Sequence, residues 1–318
     1  MNKSFEDYII GIFENYDISQ FKILLTNQKV FICGGQVSDK SPPFLSFRHY
    51  FIEKINCSSD LKIILAEKFN DYFKEYSDLL TFEDDIARIA SIVIIFLESP
   101  GSLVELGIFI SKPDFYNKLL ILAPYDEVRN EDSFIYLGPL EHIKKKHPNS
   151  VSIYPWSIDT LNNCLSELEE HSKDLLFILK DKLKTQDNTR KFNEKDSSHI
   201  TFLIAEIIRV FYPLNLDDIE YSLMSLNITI KTKDIRKYLY LLKKLEYIYS
   251  YEYSGYKFYY PAKEYLRNNF INFGVNKNKK SFDERQSQIA FREYYMNSEN
   301  QAAKKRSYAL REINKILK

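Results

Sequence analysis

A chain of 318 residues points to about two domains at roughly 150 residues each, so one small stapled module is excluded. Its 44 basic and 44 acidic side chains cancel, but unevenly: residues 1–194 hold 22 basic and 30 acidic groups, and residues 195–318 hold 22 and 14. The basic C-terminal third points to a polyanionic partner for that part alone. Cys33, Cys57 and Cys164 are far apart and odd in number, which excludes a disulfide framework and a zinc pattern and fits a reducing compartment. No metal site is implied, since none of His49, His142, His147, His171 and His199 has metal-ligand spacing. The start lacks an apolar leader, and no run reaches the ~18 apolar residues of a membrane span, so a cytoplasmic protein off the membrane is expected.

Phe5, Tyr8, Ile9, Ile12 and Phe13 repeat at helical spacing and predict a leading amphipathic helix. Short apolar runs then alternate with amphipathic stretches: 29–33, 61–65, 91–97, 118–122 and 151–153 read as strands, and 44–55, 67–76, 81–90 and 102–111 as helices. Runs of Ile, Val and Leu without polar alternation imply strands buried on both faces, hence a parallel sheet with helices on both sides. Ligands of such a sheet belong at the carboxyl ends of its strands. A long helical pattern over 158–184 and a polar linker over 184–198 place a domain boundary near residue 190.

Beyond it, 199–211, 216–226 and 232–245 read as three helices, followed by two tyrosine-rich runs, 247–253 and 256–260, around Ser254-Gly255. Three helices and a hairpin are the order of a winged helix, expected over 191–274. Lys231, Lys233, Arg236, Lys237, Lys243 and Lys244 line or flank the third helix, where phosphate and base contacts of a nucleic-acid reader would fall. Lys257 and the tyrosines Tyr251, Tyr253, Tyr256 and Tyr259 add charge and stacking surface on the wing. A protein-docking winged helix with solvated lysines is the alternative. The tail 275–318, with 11 basic and 5 acidic residues, is expected to be helical in parts and mobile or ordered by a partner.

The segment 82–107 carries the chemistry. A buried strand ends at Leu97, a Pro-Gly turn follows, and a helix opening at Ser102 would aim Glu105 at the open end of the sheet. In the first helical turn that carboxylate would be held ionised by the macrodipole and serve as a nucleophile. The same Ser-x-x-Glu spacing is also that of a capping box, in which Ser102 and Glu105 only stabilise a helix end. Likewise Glu83-Asp84-Asp85 suits a helix start, and Gly34-Gly35 suits a chain turn.

The string Gly101-Ser102-Leu103-Val104-Glu105-Leu106-Gly107 resembles the signature of nucleoside 2-deoxyribosyltransferase-like enzymes, whose fold is a flavodoxin-like α/β sandwich. Val30–Gln36 resembles that family's opening strand and sugar-binding loop, and Glu83-Asp84-Asp85 its acidic helix before the third strand. With a C-terminal winged helix attached, nearly the whole chain is similar to retron effector proteins, encoded beside a reverse transcriptase and its multicopy single-stranded DNA (msDNA). The resemblance implies a domain over 1–190 in which Glu105 attacks C1′ of a ribosyl or deoxyribosyl group. Asp84 or Asp85 would bind or protonate the leaving base, and Gly34, Gly35 and Gln36 would admit the sugar or phosphate. Glu98, Ser99, Gly101 and Ser102 complete the implied substrate site. The transferases carry Asp six residues before the nucleophile, where this chain has Ser99, preceded by Glu98. That departure favours a nucleotide such as NAD, whose cationic nicotinamide leaves readily, as a substrate rather than a cofactor. The resemblance further implies an antiviral toxin held inactive by reverse transcriptase and msDNA in a higher-order oligomer. A deoxynucleotide transferase or hydrolase, and a nucleotide-sensing DNA-binding regulator without enzymatic activity, are the alternatives.

Overall fold

The computed structural model describes residues 5–14, 16–25, 28–40, 42–58, 61–128, 134, 136–187, 189–274, 284–297 and 300–318. They form two compact units, residues 28–186 and residues 1–27 with 187–318. The division after 186 lies beside the expected 190, whereas residues 1–27 and the segment beyond 274, expected apart, fall in the second unit, because the leading helix and the C-terminal segment share one core. In chain order helix α1 (Phe5–Phe13) and strand β1 (Lys22–Leu24) come first. The sheet unit follows as β2 (Lys29–Cys33), α2 (Phe47–Ser58), β3 (Lys62–Leu65), α3 (Leu79–Ile89), β4 (Ile92–Phe96), α4 (Pro100–Ile110) and β5 (Leu119–Pro124). Short helices α5 (Tyr125–Val128) and α6 (Glu141–Lys146), strand β6 (Val151–Tyr154) and helix α7 (Leu165–Lys184) complete it.

The five strands pair in parallel in the order β3-β2-β4-β5-β6, the flavodoxin-like arrangement, as the unbroken apolar runs predict. Alternate residues of each strand point to opposite faces. Val30, Ile32, Ile92, Ile94, Phe96, Leu120 and Leu122 pack with Phe47, Phe51 and Ile55 of α2 and Leu168, Leu175 and Leu179 of α7. The other face carries Phe31, Cys33, Val93 and Ile95, fully buried where α3 packs on β2 and α4 on β4. The chain reverses direction across the sheet between β2 and β4. Their carboxyl ends therefore flank the crevice in which this topology holds ligands. The predicted helix over 67–76 is instead two 3-10 turns, Ala66–Phe69 and Tyr72–Lys74.

The second unit contains β7 (Thr189–Lys191), α8 (Ser197–Phe211), α9 (Leu216–Ser225), α10 (Thr232–Lys244), β8 (Ile248–Tyr253) and β9 (Tyr256–Pro261). It ends with β10 (Ile271–Asn272), α11 (Glu284–Asn297) and α12 (Gln301–Leu317). The three helices and the β8–β9 hairpin are the expected winged-helix order; Ser254 and Gly255, both at positive φ, make its two-residue turn. The predicted polar linker contains β7, which pairs with β1, itself paired with β10. Phe5 of α1 meets the rings of Phe291 and Tyr295, and Phe13 meets Phe211.

The expected tail is not loose where it is described, while 275–283 lies outside the described residues. Two buried arginines fix it. Arg209 on α8 binds Glu206 and Glu284, joining α8 to α11. Arg306 on α12 binds Asp218 on α9 and lies over the ring of Phe5. Among the described residues no helix is long and apolar enough to cross a membrane.

Candidate active site

Helix α4 starts earlier than the sequence suggests. Ser99 is its N-cap, Pro100 occupies the first turn, and Ser99 and Ser102 form a reciprocal capping box: the Ser102 N–H donates to Ser99 Oγ at 3.1 Å and the Ser99 N–H to Ser102 Oγ at 3.1 Å. The cap is thus complete without Glu105, which falls in the second turn. This corrects both readings of Ser102-x-x-Glu105: Glu105 neither closes the box nor stands in the first turn. Its carboxyl is not held ionised by the helix end. Burial pushes it up to about 7, opposed by the charge of Arg48 and a hydrogen bond from the Cys33 thiol.

Cys33 reaches Glu105 because it is the last residue of β2 and faces the side covered by α3 and α4. Its thiol is fully buried and pushed well up by burial and by Glu105 and Glu83. Glu83 on α3 completes the cluster. Only 5% exposed, with no hydrogen-bond partner for Oε2, it is driven up to about 8 by burial and by the charge of Glu105. Two acids in one desolvated place oppose each other's ionisation, so both carboxyls are raised, the more buried Glu83 further than Glu105, and Glu105 gains its charge only as the pH rises through about 7.

The neighbouring acids named from sequence are directed elsewhere. Asp84 binds Arg88 at 3.0 Å and also Lys112, and Asp85 accepts a hydrogen bond from the Tyr76 hydroxyl at 3.1 Å. Neither is brought to Glu105. Glu83 shares a buried stripe of α3 with Ile86 and Ala87, three and four residues on, but Asp85 is buried as well, at 7%, and is set apart by the Tyr76 hydroxyl that answers it.

Arg48, missed in the sequence reading, anchors the crevice from α2. It is 1% exposed, donates to the carbonyls of Ile32 at 2.9 Å and Gly35 at 3.0 Å, and pairs through both terminal nitrogens with the half-exposed Glu67. The Gly34–Gln36 loop is tied to the protein rather than left open. A Cβ on Gly34, at φ +145°, would lie 2.7 Å from Phe96 Cβ and 2.8 Å from its carbonyl; one on Gly35 would lie 2.6 Å from Ser46 Cβ. Gln36 is exposed, and its carbonyl accepts from Ser46 Oγ at 2.7 Å. These glycines allow close packing of the first loop on the end of β4. Gly34→Ala is expected to cost about 2 kcal/mol or more in a denaturant titration.

Glu98 also has a positioning role. It accepts from the backbone N–H groups of Phe47 at 2.7 Å and Arg48 at 3.2 Å and from the Trp156 indole at 3.0 Å, holding the start of α2 against the end of β4. Burial nevertheless raises its carboxyl. Glu98 and Ser99 line a cavity of about 500 Å³ beyond β4, β5 and β6, with Leu97, Leu103, Pro124, Trp156 and Ile158 as apolar walls and Asp126 and Asp159 as further acids. Glu105 is not part of that wall. Gly101 is exposed in the first turn of α4, while Ser102 is buried beneath it. Among the described residues no group of His, Cys, Asp or Glu is placed to hold a metal ion.

On the third winged-helix helix, Lys231, Lys233 and Arg236 are exposed. Lys237 is engaged by Asp234 at 2.9 Å, Lys244 lies over the Tyr240 ring, and Lys243 is half-buried. Lys257 on the wing faces Glu252 at 3.7 Å. The wing tyrosines are not all free for a ligand, because Tyr253 is stacked on Tyr308 of α12 and Tyr256 lies under Lys305.

The model of the "STM3845 retron effector protein" family matches residues 45–250, from α2 to the start of the wing. Among curated proteins of Escherichia coli, the chain is 28% identical over 200 residues to the "Retron Ec86 putative ribosyltransferase/DNA-binding protein", covering 60% of this chain and 61% of that protein. It is 31% identical over 127 residues to the corresponding protein of retron Ec73, covering 38% of this chain and 39% of that one. The matches thus span about three fifths or less of these relatives' length. A family match across the acid cluster, the capped α4 and all three winged-helix helices makes this chain a member of the STM3845 retron effector family.

Proposed function

We propose that the sheet unit is an N-glycosidase with Glu105 as nucleophile and NAD as favoured substrate, and that the protein acts as the toxin of a retron antiviral system. The observation that carries this reading is the Glu105–Glu83 pair beside the crevice between β2 and β4. It supports the reading by placing two largely buried carboxyls together, one ionising near pH 7 and one that holds its proton longer. An oxocarbenium-like transition state at an anomeric carbon needs that charge on the face opposite the leaving group. Glu105 Oε would bond to C1′ as the C1′–N bond breaks. The bonding pair neutralises the nicotinamide ring, so no proton need be supplied. Water then opens the glycosyl ester, regenerating the Glu105 carboxylate with release of a proton. The neighbouring cavity, apolar with three acids, suits a cationic ring better than a phosphate.

A second reading, cleavage of deoxynucleosides or deoxynucleotides, has one observation in its favour. A neutral base departs only when protonated, and Glu83 holds a proton up to about pH 8. Products separate the two: nicotinamide and ADP-ribose in the first, free base and a deoxyribose species in the second. Chromatography after incubating the full chain with each substrate is expected to give the first pair.

In this reading reverse transcriptase and msDNA are the partners that hold the enzyme inactive, and the winged-helix unit meets the nucleic acid. The retron family and the relatives' DNA-binding names support it. Assembly into a higher-order oligomer belongs to the same proposal, supported by Leu103 and Val104 lying exposed on α4 beside the crevice.

A further inference from the structure

Helix α12 has two contrasting faces. One carries Ala309, Ile313 and Leu317 onto Phe258 and Tyr260 of the hairpin. The other aligns Lys304, Tyr308, Arg311 and Lys315, all exposed, at steps of 4, 3 and 4 residues, which is a single line along an α-helix. At 1.5 Å per residue these groups stand about 6, 4.5 and 6 Å apart along the axis. The aromatic member is braced: the Tyr308 and Tyr253 rings stack at 4.1 Å and 18°, yet Tyr308 remains 43% exposed. Lys305 sits 4.4 Å from the centroid of the Tyr256 ring and adds charge at the flank. Lys315 is partly answered by Glu312 at 2.7 Å, which leaves Lys304 and Arg311 as the main cations of the line.

We propose that this ledge of α12 and the wing binds single-stranded nucleic acid, with a base stacked on Tyr308 and the adjoining phosphates at Lys304 and Arg311. The proposal deepens the nucleic-acid part of the function above and rests on it. A cation–aromatic–cation line fits a strand whose bases are turned outward, whereas a duplex hides its base faces inside the stack. The ledge exists because the buried Arg306–Asp218 pair fixes α12 in one orientation, so its exposed line is ordered before any ligand arrives.

Binding of a fluorescent oligothymidylate to the full chain, measured against salt, tests this. Lys304→Glu with Arg311→Glu is expected to weaken binding about tenfold or more at moderate salt and to reduce the log–log salt slope by about 1.4. Tyr308→Ala should weaken it about tenfold with the slope unchanged, and Tyr308→Phe should restore it. If these variants bind like wild type while Lys233→Glu with Arg236→Glu abolishes binding, the ledge is overturned and the nucleic-acid reading survives on α10. Preference for a duplex of equal length would overturn the single-strand assignment. Failure of the wild type to bind any oligonucleotide at low salt would overturn both proposals.

Discussion

Glu105→Gln is expected to lower NAD cleavage by at least about 10³-fold while leaving the fold intact, because it removes the attacking oxygen and preserves the shape of the side chain. The half-buried position of Glu105 and its thiol partner make Gln a mild structural change. In wild type only the anion attacks, and the carboxyl is pushed up to about 7. The rate should therefore rise about tenfold per pH unit on the acid side, bend near pH 7 and level off above it. Initial rates of nicotinamide release across that range give the profile. A nucleophile ionised by a helix terminus would instead give a bend near the ordinary carboxylate range. In cells, induced wild type should arrest growth and deplete NAD, and the Gln variant should do neither.

Glu83→Gln is expected to have the opposite balance, a more stable protein with NAD cleavage near the wild-type rate at neutral pH. A carboxyl raised from 4.5 to about 8 in the folded chain binds its proton more tightly there than in the unfolded chain. The contribution of Glu83 to stability is therefore fully present below about pH 4.5 and is lost progressively as pH rises towards 8. By neutral pH this linkage costs on the order of 3 kcal/mol. Gln copies the protonated acid and does not ionise, so the variant should gain about that amount at neutral pH, more at pH 8, and show a flatter stability–pH curve. Urea titrations at several pH values measure it. A loss of NAD cleavage without unfolding would mean that the Glu83 proton is moved in the reaction rather than kept.

These contrasting outcomes come from neighbouring elements that differ in how openly the sequence displays them. The inner strands β2, β4 and β5 were legible because each is an apolar run buried almost throughout, which only a strand covered on both faces can use, while the edge strands β3 and β6 show the weaker pattern of half-covered strands. The hairpin was legible from Ser254-Gly255 between tyrosine-rich runs. The exact cap of α4 was not, since Ser99 and Ser102 both satisfy the local rule and only the three-dimensional path selects Ser99. The run Glu83-Asp84-Asp85 does not display which acid is left to Glu105, because that depends on partners distant in the chain: Lys112 together with Arg88 takes Asp84, and Tyr76 takes Asp85. Arg48 gave no signal, being one arginine at the start of a helix until Glu67, far along the chain, comes to meet it. The docking of α12 was hidden for a similar reason. Its buried residues are Ala303, Arg306, Ala309, Leu310, Ile313 and Leu317, in which two alanines and an arginine dilute the apolar stripe, and Arg306 is buried only because Asp218 answers it.

The most direct measurement is peptide mass spectrometry of enzyme rapidly quenched during turnover of NAD. An ADP-ribosyl adduct is expected on the peptide that contains Glu105, formed transiently and absent from the Gln variant. Undiminished turnover by that variant, or an adduct confined to another residue, would contradict the assignment of Glu105 as nucleophile.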